Sequence, residues 1–319
     1  MRSDMITLKQ MRHALAVAEQ ASFRKAAESC ALSQSALSSS ITEMERLLGF
    51  KVFERDNRRV LVTGMGKVML AKARGIVTDA ADLVSLVDQV RTPLSGPMSI
   101  GVIPTIAPYL LPVILPTLED SHPNLQLTID EDQSRPLVDR VLAGQLDTAI
   151  VALPYDCSGL LTFPFWDEDF YYVVHRDDAD VVGGFIDLER IELSRLMLLN
   201  EGHCLKDHAL AVCGLSSEER VSTRGTSLST LIQLVMGRFG STLVPEIALP
   251  HLVANNPDLS FARLNEEGPH RSLAFAVRTN YPGLHNIEHL KVLLRERLLD
   301  MRQCLVDGSE KTNTMFEIN

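Results

Sequence analysis

Ser22-Phe23-Arg24-Lys25-Ala26-Ala27-Glu28-Ser29-Cys30-Ala31-Leu32-Ser33-Gln34-Ser35-Ala36-Leu37-Ser38-Ser39-Ser40-Ile41-Thr42-Glu43-Met44-Glu45-Arg46-Leu47-Leu48 decides the fold of the first part of this chain. Ser22 can cap a helix over Phe23–Cys30, and Ser33 can cap another over Gln34–Leu48. Ala31-Leu32-Ser33 leaves only a tight turn between them. Leu37, Ile41, Met44, Leu47 and Leu48 form an apolar stripe on the second helix. Gln34, Ser35, Ser38, Ser39 and Thr42 occupy the other face. A short helix, a tight turn and a helix with small polar residues outward is the helix-turn-helix pattern. Such side chains reach base edges and phosphates without blocking entry to a major groove. The plain alternative is a solvated helix face.

The flanks favour the DNA reading. Upstream, Leu8 to about Glu19 reads as a supporting helix with Leu8, Met11, Leu15 and Ala18 on one face. Downstream, Lys51–Arg55 and Val60–Thr63 read as two strands around Asp56-Asn57-Arg58-Arg59. That is a wing, whose Arg55, Arg58 and Arg59 are placed for phosphate or a minor groove. Residues 1–91 hold 14 Lys+Arg against 10 Asp+Glu, a net of +4, in a chain of net charge −10. The remainder therefore carries −14. A basic head on an acidic body points the head at a polyanion.

Met69, Ala73, Ile76, Ala80, Leu83, Val87 and Val90 recur in steps of four and three, the a/d seam of a coiled coil. Such a seam takes a partner helix, and paired heads read paired half-sites. The alternative is a helix packed on its own domain. Arg91-Thr92-Pro93-Leu94-Ser95-Gly96-Pro97 breaks the helix. Beyond it, strands at Met98–Ile103, Leu125–Glu131 and Asp147–Val151 alternate with helices from Pro104 to about Ser121 and over Leu137–Ala143. That order predicts a mainly parallel sheet. Ligands in such sheets bind at the carboxyl ends of strands, where Thr105 and Ser134 fall; each also suits an ordinary helix cap. Phe165 to Val182 reads as the crossover into a second lobe. A helix Leu228–Met236, strands Gly240–Pro245 and Leu273–Val277, and a closing helix from Leu284 to about Arg302 complete it. The expected fold class is α/β: an N-terminal winged helix-turn-helix plus a long linker helix, then two α/β lobes of periplasmic-binding-protein-like type. The boundaries are 1–66 for the head, 67–92 for the linker, 93–97 for the hinge, 98–305 for the two-lobed body and 306–319 for a flexible tail.

Within the second lobe lies Asn200-Glu201-Gly202-His203-Cys204-Leu205-Lys206-Asp207-His208-Ala209-Leu210-Ala211-Val212-Cys213. It reads as a loop entering a helix, with Cys204 near the helix start. The exposed amides there favour an anion, and Lys206 and a protonated His203 or His208 push the same way. A thiolate, the species that oxidants attack, is the expectation. Nine residues of helix put Cys213 roughly 13 Å along the axis from Cys204, whereas a disulfide needs Cα atoms within about 7 Å. If the two join, the segment must refold. The alternative is a pair of small buried hydrophobes. The spacing of His203, Cys204, His208 and Cys213 does not match structural zinc sites, so neither metal nor cofactor is expected. Five cysteines without a disulfide framework point to a reducing, cytoplasmic setting. No run of 18 apolar residues predicts a membrane span.

Ala26-Ala27…Leu32-Ser33-Gln34-Ser35-Ala36-Leu37-Ser38…Ile41…Glu45…Leu48-Gly49…Phe53-Glu54-Arg55, with the long helix and two-lobed body, resembles the LysR-type transcriptional regulators. Gly202-His203-Cys204-Leu205-Lys206-Asp207 with Cys213 is similar to the hydrogen-peroxide-sensing members of that family. So are Ser95-Gly96-Pro97…Ile100-Gly101-Val102-Ile103-Pro104-Thr105…Pro108-Tyr109-Leu110-Leu111-Pro112 and Thr226-Ser227-Leu228…Thr230-Leu231. The resemblance implies a peroxidatic Cys204, a resolving Cys213, and peroxide held among Thr105, Ser134, His203, Lys206, Asp207 and Arg271. It implies a homodimer through the linker helix and a homotetramer, binding double-stranded promoter DNA to activate or repress antioxidant genes with RNA polymerase. A thiol system such as glutaredoxin or thioredoxin would reset it. Lys206 stands where the motif has arginine, keeping charge but losing the planar fork. Ser134 stands for threonine, and the wing ends Thr63-Gly64-Met65-Gly66. Two other readings fit parts of the chain. One is a LysR-type regulator holding a small organic effector between its lobes, with inert cysteines. The other is a thiol peroxidase, against which the DNA-binding head argues.

Overall fold

The structure is a computed structural model that describes residues 6–56, 59–89, 93–178, 184–200, 204–212, 223–225, 227–254 and 256–313. The chain forms two compact units, Met1–Asp88 and Gln89–Asn319.

The first unit packs α1 (Leu8–Gln20), α2 (Phe23–Ser29) and α3 (Gln34–Leu48) beside a hairpin of β1 (Phe53–Asp56) and β2 (Arg59–Val62). Hydroxyl caps set the helix starts. Thr7 and Gln10 form a capping box, Ser22 accepts from the Lys25 amide, and Ser33 accepts from the Ala36 amide. Leu37, Ile41 and Met44 are fully buried against Ala14, Val17 and Ala26. Their burial is the driving term, at about 1.5–3 kcal/mol for each large side chain. Glu45 joins the recognition helix to the wing. One carboxylate oxygen accepts from the Val52 and Phe53 amides at 3.0 and 3.1 Å, and the other meets Lys51 Nζ at 2.8 Å. Gly66 lies so close to the Val52 carbonyl that a Cβ there would overlap it.

α4 (Gly64–Gln89) carries the heptad seam. Its first part is domestic: Met69 and Ala73 belong to the core of the head. Further along, Ile76 and Leu83 are 47% and 68% exposed. The helix-on-its-own-domain reading therefore holds for the first turns, and Ile76 and Leu83 are left open beyond them; Val90 and the side chain of Val87 lie outside the described residues.

In the second unit, β3 (Gly96–Val102), α5 (Ala107–Ser121), β4 (Leu125–Glu131), α6 (Ser134–Leu142) and β5 (Thr148–Leu153) build one lobe. Its sheet has the order β4-β3-β5-β13-β6, with β6 (Leu160–Glu168) and β13 (Arg271–Arg278). β4, β3 and β5 are parallel, but β13 runs antiparallel to both β5 and β6. The sheet is mixed, and the mainly parallel expectation needs that correction. It arises because β6 and β13 belong to the crossings between lobes. Gly101 of β3 admits α6, since a Cβ there would meet Leu137 and Leu146 side chains within 3 Å.

The second sheet has the order β10-β9-β11-β7-β12-β8. Its strands are β7 (Phe170–His175), β8 (Phe185–Ile186), β9 (Leu196–Leu199), β10 (Thr223–Gly225), β11 (Ser241–Pro245) and β12 (Leu259–Leu264). α7 (Cys204–Val212), α8 (Leu228–Met236) and α9 (Leu249–Leu252) accompany it. The chain leaves the first sheet between β6 and β7, at Asp169, and returns just before β13. The crossover expected over Phe165–Val182 is thus a single residue between two strands. α10 (Leu284–Asn313) closes the unit and continues helical past residue 306, where a tail was expected. No helix among the described residues is long and apolar enough to cross a membrane.

Candidate functional site

The head presents its polar face as the stripe predicts. Gln34, Ser35, Ser39 and Thr42 are exposed and Ser38 is half-buried. Buried His13 steadies α3 from behind, its Nδ1 lying 2.8 Å from Ser40 Oγ. Burial, then Lys9, pushes the His13 imidazole below its usual value, keeping it neutral. Asn57 and Arg58 lie outside the described residues, as do the side chains of Arg55 and Arg59.

The second site gathers where the two crossings meet the carboxyl ends of the strands. Arg271, the first residue of β13, is 1% exposed. Its Nε donates to Glu168 Oε1 at 2.7 Å, and its Nη1 donates to Thr105 Oγ1 at 3.2 Å. The remaining Glu168 oxygen accepts from the Ile247 amide at 2.8 Å. A fully buried ion pair is tolerable only with its other hydrogen-bonding positions filled in this way. Thr105 lies in the turn before α5, which begins at Ala107 and not at Pro104. The residue capping α5 is Ile106, without a side-chain bond. Thr105 is therefore no helix cap; its hydroxyl faces the guanidinium. Ser134 is the first residue of α6, three residues earlier than the expected Leu137. Its hydroxyl is 99% buried and without a hydrogen-bond partner. Neither hydroxyl performs the capping role that the sequence left open.

Cys204 is the first residue of α7 and is 3% exposed. α7 is held by Leu205, Ala209 and Leu210, all buried, while Asp207 is exposed. His208 Nε2 lies 2.8 Å from the Pro154 carbonyl, and its Nδ1 is buried without a partner. Burial is the largest influence on His208 and lowers its proton affinity. The Pro154 bond opposes this, Arg271 adds to it, and Asp207 opposes it weakly. His208 is therefore neutral at neutral pH, and the expected positive charge from this histidine is withdrawn. Arg271, a permanent cation, stands in the same field. His203 and Cys213 lie outside the described residues, as do Thr226 and the side chain of Lys206.

The structure adds partners that the sequence did not single out. Glu168 sits in an acidic run, Asp167-Glu168-Asp169, with nothing to show that its middle member turns inward. Tyr155 and Cys157, on the loop after β5, lie within the electrostatic reach of Cys204. Tyr109, within the Pro108–Pro112 stretch of α5, is driven up to about 12, chiefly by burial. Among the described residues no cluster of three His, Cys, Asp or Glu side chains fits a metal ion.

A winged helix-turn-helix head on a two-lobed α/β body defines a DNA-binding transcriptional regulator, not an enzyme. Residues 8–67 match the bacterial regulatory helix-turn-helix proteins of the lysR family, and residues 91–299 match the LysR substrate binding domain. The chain belongs to the LysR family and binds DNA through its helix-turn-helix. It is 38% identical to the HTH-type transcriptional regulator EstR of Acinetobacter baylyi, over 86% of this chain and 92% of that one. It is 36% identical to a probable hydrogen peroxide-inducible genes activator of Streptomyces viridosporus, over 92% and 95%. Among solved structures, it resembles a full-length OxyR of Pseudomonas aeruginosa bearing a cysteine-to-aspartate substitution. The TM-score is 0.77 and the identity 30%, covering 92% of this chain and 95% of that one.

Proposed function

We propose that this chain is an OxyR-type regulator that senses hydrogen peroxide through Cys204 and signals through a Cys204–Cys213 disulfide, controlling antioxidant genes. The observation that carries the reading is the position of Cys204: first residue of α7, buried, and one helical turn before His208, on which the charge of the buried Arg271 bears. The Cys204 sulfur attacks one peroxide oxygen, the O–O bond breaks, the departing oxygen takes a proton and leaves as water, and Cys204 becomes a sulfenic acid. Thr105 and Ser134 hydroxyls are suited to holding the peroxide oxygens, and Arg271 to orienting Thr105 while offsetting developing charge. Roles in the peroxide pocket for His203, Lys206 and Asp207 belong to this proposal as well.

Resolution by Cys213 then requires α7 to unwind. α7 runs from Cys204 to Val212, roughly 12 Å along its axis, so an intact helix carries the chain away from Cys204 by more than the about 7 Å that a disulfide spans. Release of α7 from the second lobe is the signal passed on through paired bodies and linker helices to the spacing of heads on DNA. One thiol system, of the glutaredoxin or thioredoxin kind, reduces the disulfide and resets the sensor. DNA footprinting of dithiothreitol-reduced and peroxide-treated protein tests the reading. A changed footprint with wild-type protein, lost in Cys204→Ser, is expected; an unchanged footprint after peroxide refutes it.

A second reading, a small organic effector between the lobes, draws on the 38% identity to EstR, which is not named for peroxide. It requires the cysteines to be inert, so absence of Cys204 oxidation at stoichiometric peroxide would favour it.

A further inference from the structure

Cys157 sits on the loop between β5 and β6, 9% exposed, and takes no part in the chemistry described above. This loop is fastened to α7: the Pro154 carbonyl meets His208 Nε2 at 2.8 Å. His208 lies one helical turn beyond Cys204, and Cys157 lies three residues beyond Pro154. Both cysteines belong to the same buried core, and both are free thiols. A negative charge on Cys204 is felt at Cys157, and charges on both are felt at the Tyr155 phenol on the same loop.

We propose that Cys157 is a second resolving thiol, which forms a Cys157–Cys204 disulfide from the loop side while α7 stays folded. This rests on Cys204 being the cysteine that hydrogen peroxide oxidises. In the first step the Cys204 sulfur attacks one peroxide oxygen. The O–O bond breaks, the departing oxygen takes a proton and leaves as water, and Cys204 becomes a sulfenic acid. In the second step the Cys157 sulfur attacks the Cys204 sulfur. The S–S bond forms, the S–O bond breaks, and the departing hydroxyl takes the Cys157 proton and leaves as a second water. The two sulfurs together give up two electrons, and the peroxide takes them.

The two resolving routes differ in what must move. The Cys213 route breaks a helix and expels Leu205 and Leu210 from the core. The Cys157 route displaces a six-residue connection, Pro154 to Gly159, that carries no helix or strand. The chemical step is slow, however. Burial first, then the charges of Asp156 and Cys204, push the Cys157 thiol up, so little of the attacking thiolate is present. Cys157 thus captures oxidised Cys204 when Cys213 does not arrive, and guards it against irreversible oxidation to the sulfinic acid.

The test uses the full-length Cys213→Ser protein, stoichiometric hydrogen peroxide, dimedone trapping and peptide mapping without reductant. A linked pair of peptides containing Cys157 and Cys204 is expected, with loss of the dimedone adduct over time. Adding Cys157→Ala, a small change in an apolar setting, should abolish the link, preserve the adduct and let excess peroxide carry Cys204 to the sulfinic acid. A dimedone adduct that persists in Cys213→Ser with no link overturns the role of Cys157 and leaves Cys204 as the peroxide target. A link from Cys204 to Cys30 or Cys304 overturns it too. No oxidation of Cys204 in any variant overturns both this inference and the peroxide reading.

Discussion

Leu210→Ala separates the energetics of α7 from its chemistry. Leu210 is 5% exposed and packs in the core of the second unit. It lies on the helix that, in the proposed Cys204–Cys213 switch, must unwind before that disulfide forms. Leu→Ala substitutions in cores cost about 2–5 kcal/mol, depending on how well the site collapses. α7 is a short helix of nine residues, so the site can relax and the low end applies. Alanine's better helix propensity returns only a few tenths of a kcal/mol. In the proposed Cys204–Cys213 disulfide form α7 is already undocked, and the substitution costs little there. The dithiol form alone is destabilised, by about 2 kcal/mol. For a two-electron couple about 1.4 kcal/mol corresponds to 30 mV, so the midpoint should become about 45 mV more negative. The disulfide becomes harder to reduce. Equilibration in dithiothreitol buffers of graded potential, followed by alkylation of the remaining thiols at Cys204 and Cys213, reads the midpoint directly. A midpoint that does not move, or moves positive, would show that α7 stays docked in the oxidised state and refute the unwinding step.

Three further outcomes follow from other parts of the molecule. Glu45→Ala strips two buried amides and Lys51 of their acceptor, and should cost the head about 2–4 kcal/mol, at roughly 1.5–3 for each hydrogen bond to a charged group and with partial relaxation; denaturant unfolding followed in the head, with a parallel loss of DNA affinity, checks this. Replacing both Arg58 and Arg59 with alanine should weaken operator binding and reduce the slope of log K against log salt by roughly 1.8, at about 0.9 for each phosphate no longer neutralised; an unchanged slope would remove the wing from the interface. His13 and His208 are both held below the ordinary imidazole value by burial, so the unfolded chain binds protons that the folded chain refuses. Their contribution is fully present above the unfolded value, near about 6.5, and is lost as pH falls through the lower folded values; chemical denaturation between neutral and mildly acidic pH should show stability falling, with a flatter fall in a His13→Gln, His208→Gln variant.

The head was legible in the sequence because its signals are local. Ser22 and Ser33 cap the helices that follow them, and Leu37, Ile41 and Met44 recur at the helical period, so one short window carries both the boundaries and the buried face. The β3-α5-β4-α6-β5 run was legible for the same reason. Cys204 at a helix start was readable from Gly202 before it and the Ala/Leu-rich run after it. The heptad seam was only half readable, since spacing identifies an apolar stripe but not what covers each turn of it. Met69 and Ala73 went to the head's own core, while Ile76 and Leu83 stayed open.

What the sequence by itself determined was therefore the local periods, the caps and the nine-residue spacing of Cys204 and Cys213. What only the tertiary structure decided was which distant groups meet. Arg271 and Glu168 are far apart in the chain, yet pair because β13 lies antiparallel against β6. Thr105 turns from a possible helix cap into a partner of that arginine, and His208 loses its charge to burial. The loop that carries Cys157 meets α7 because its Pro154 carbonyl is tied to His208. Strand pairing and burial are properties of the assembled sheet, so no window of sequence contains them.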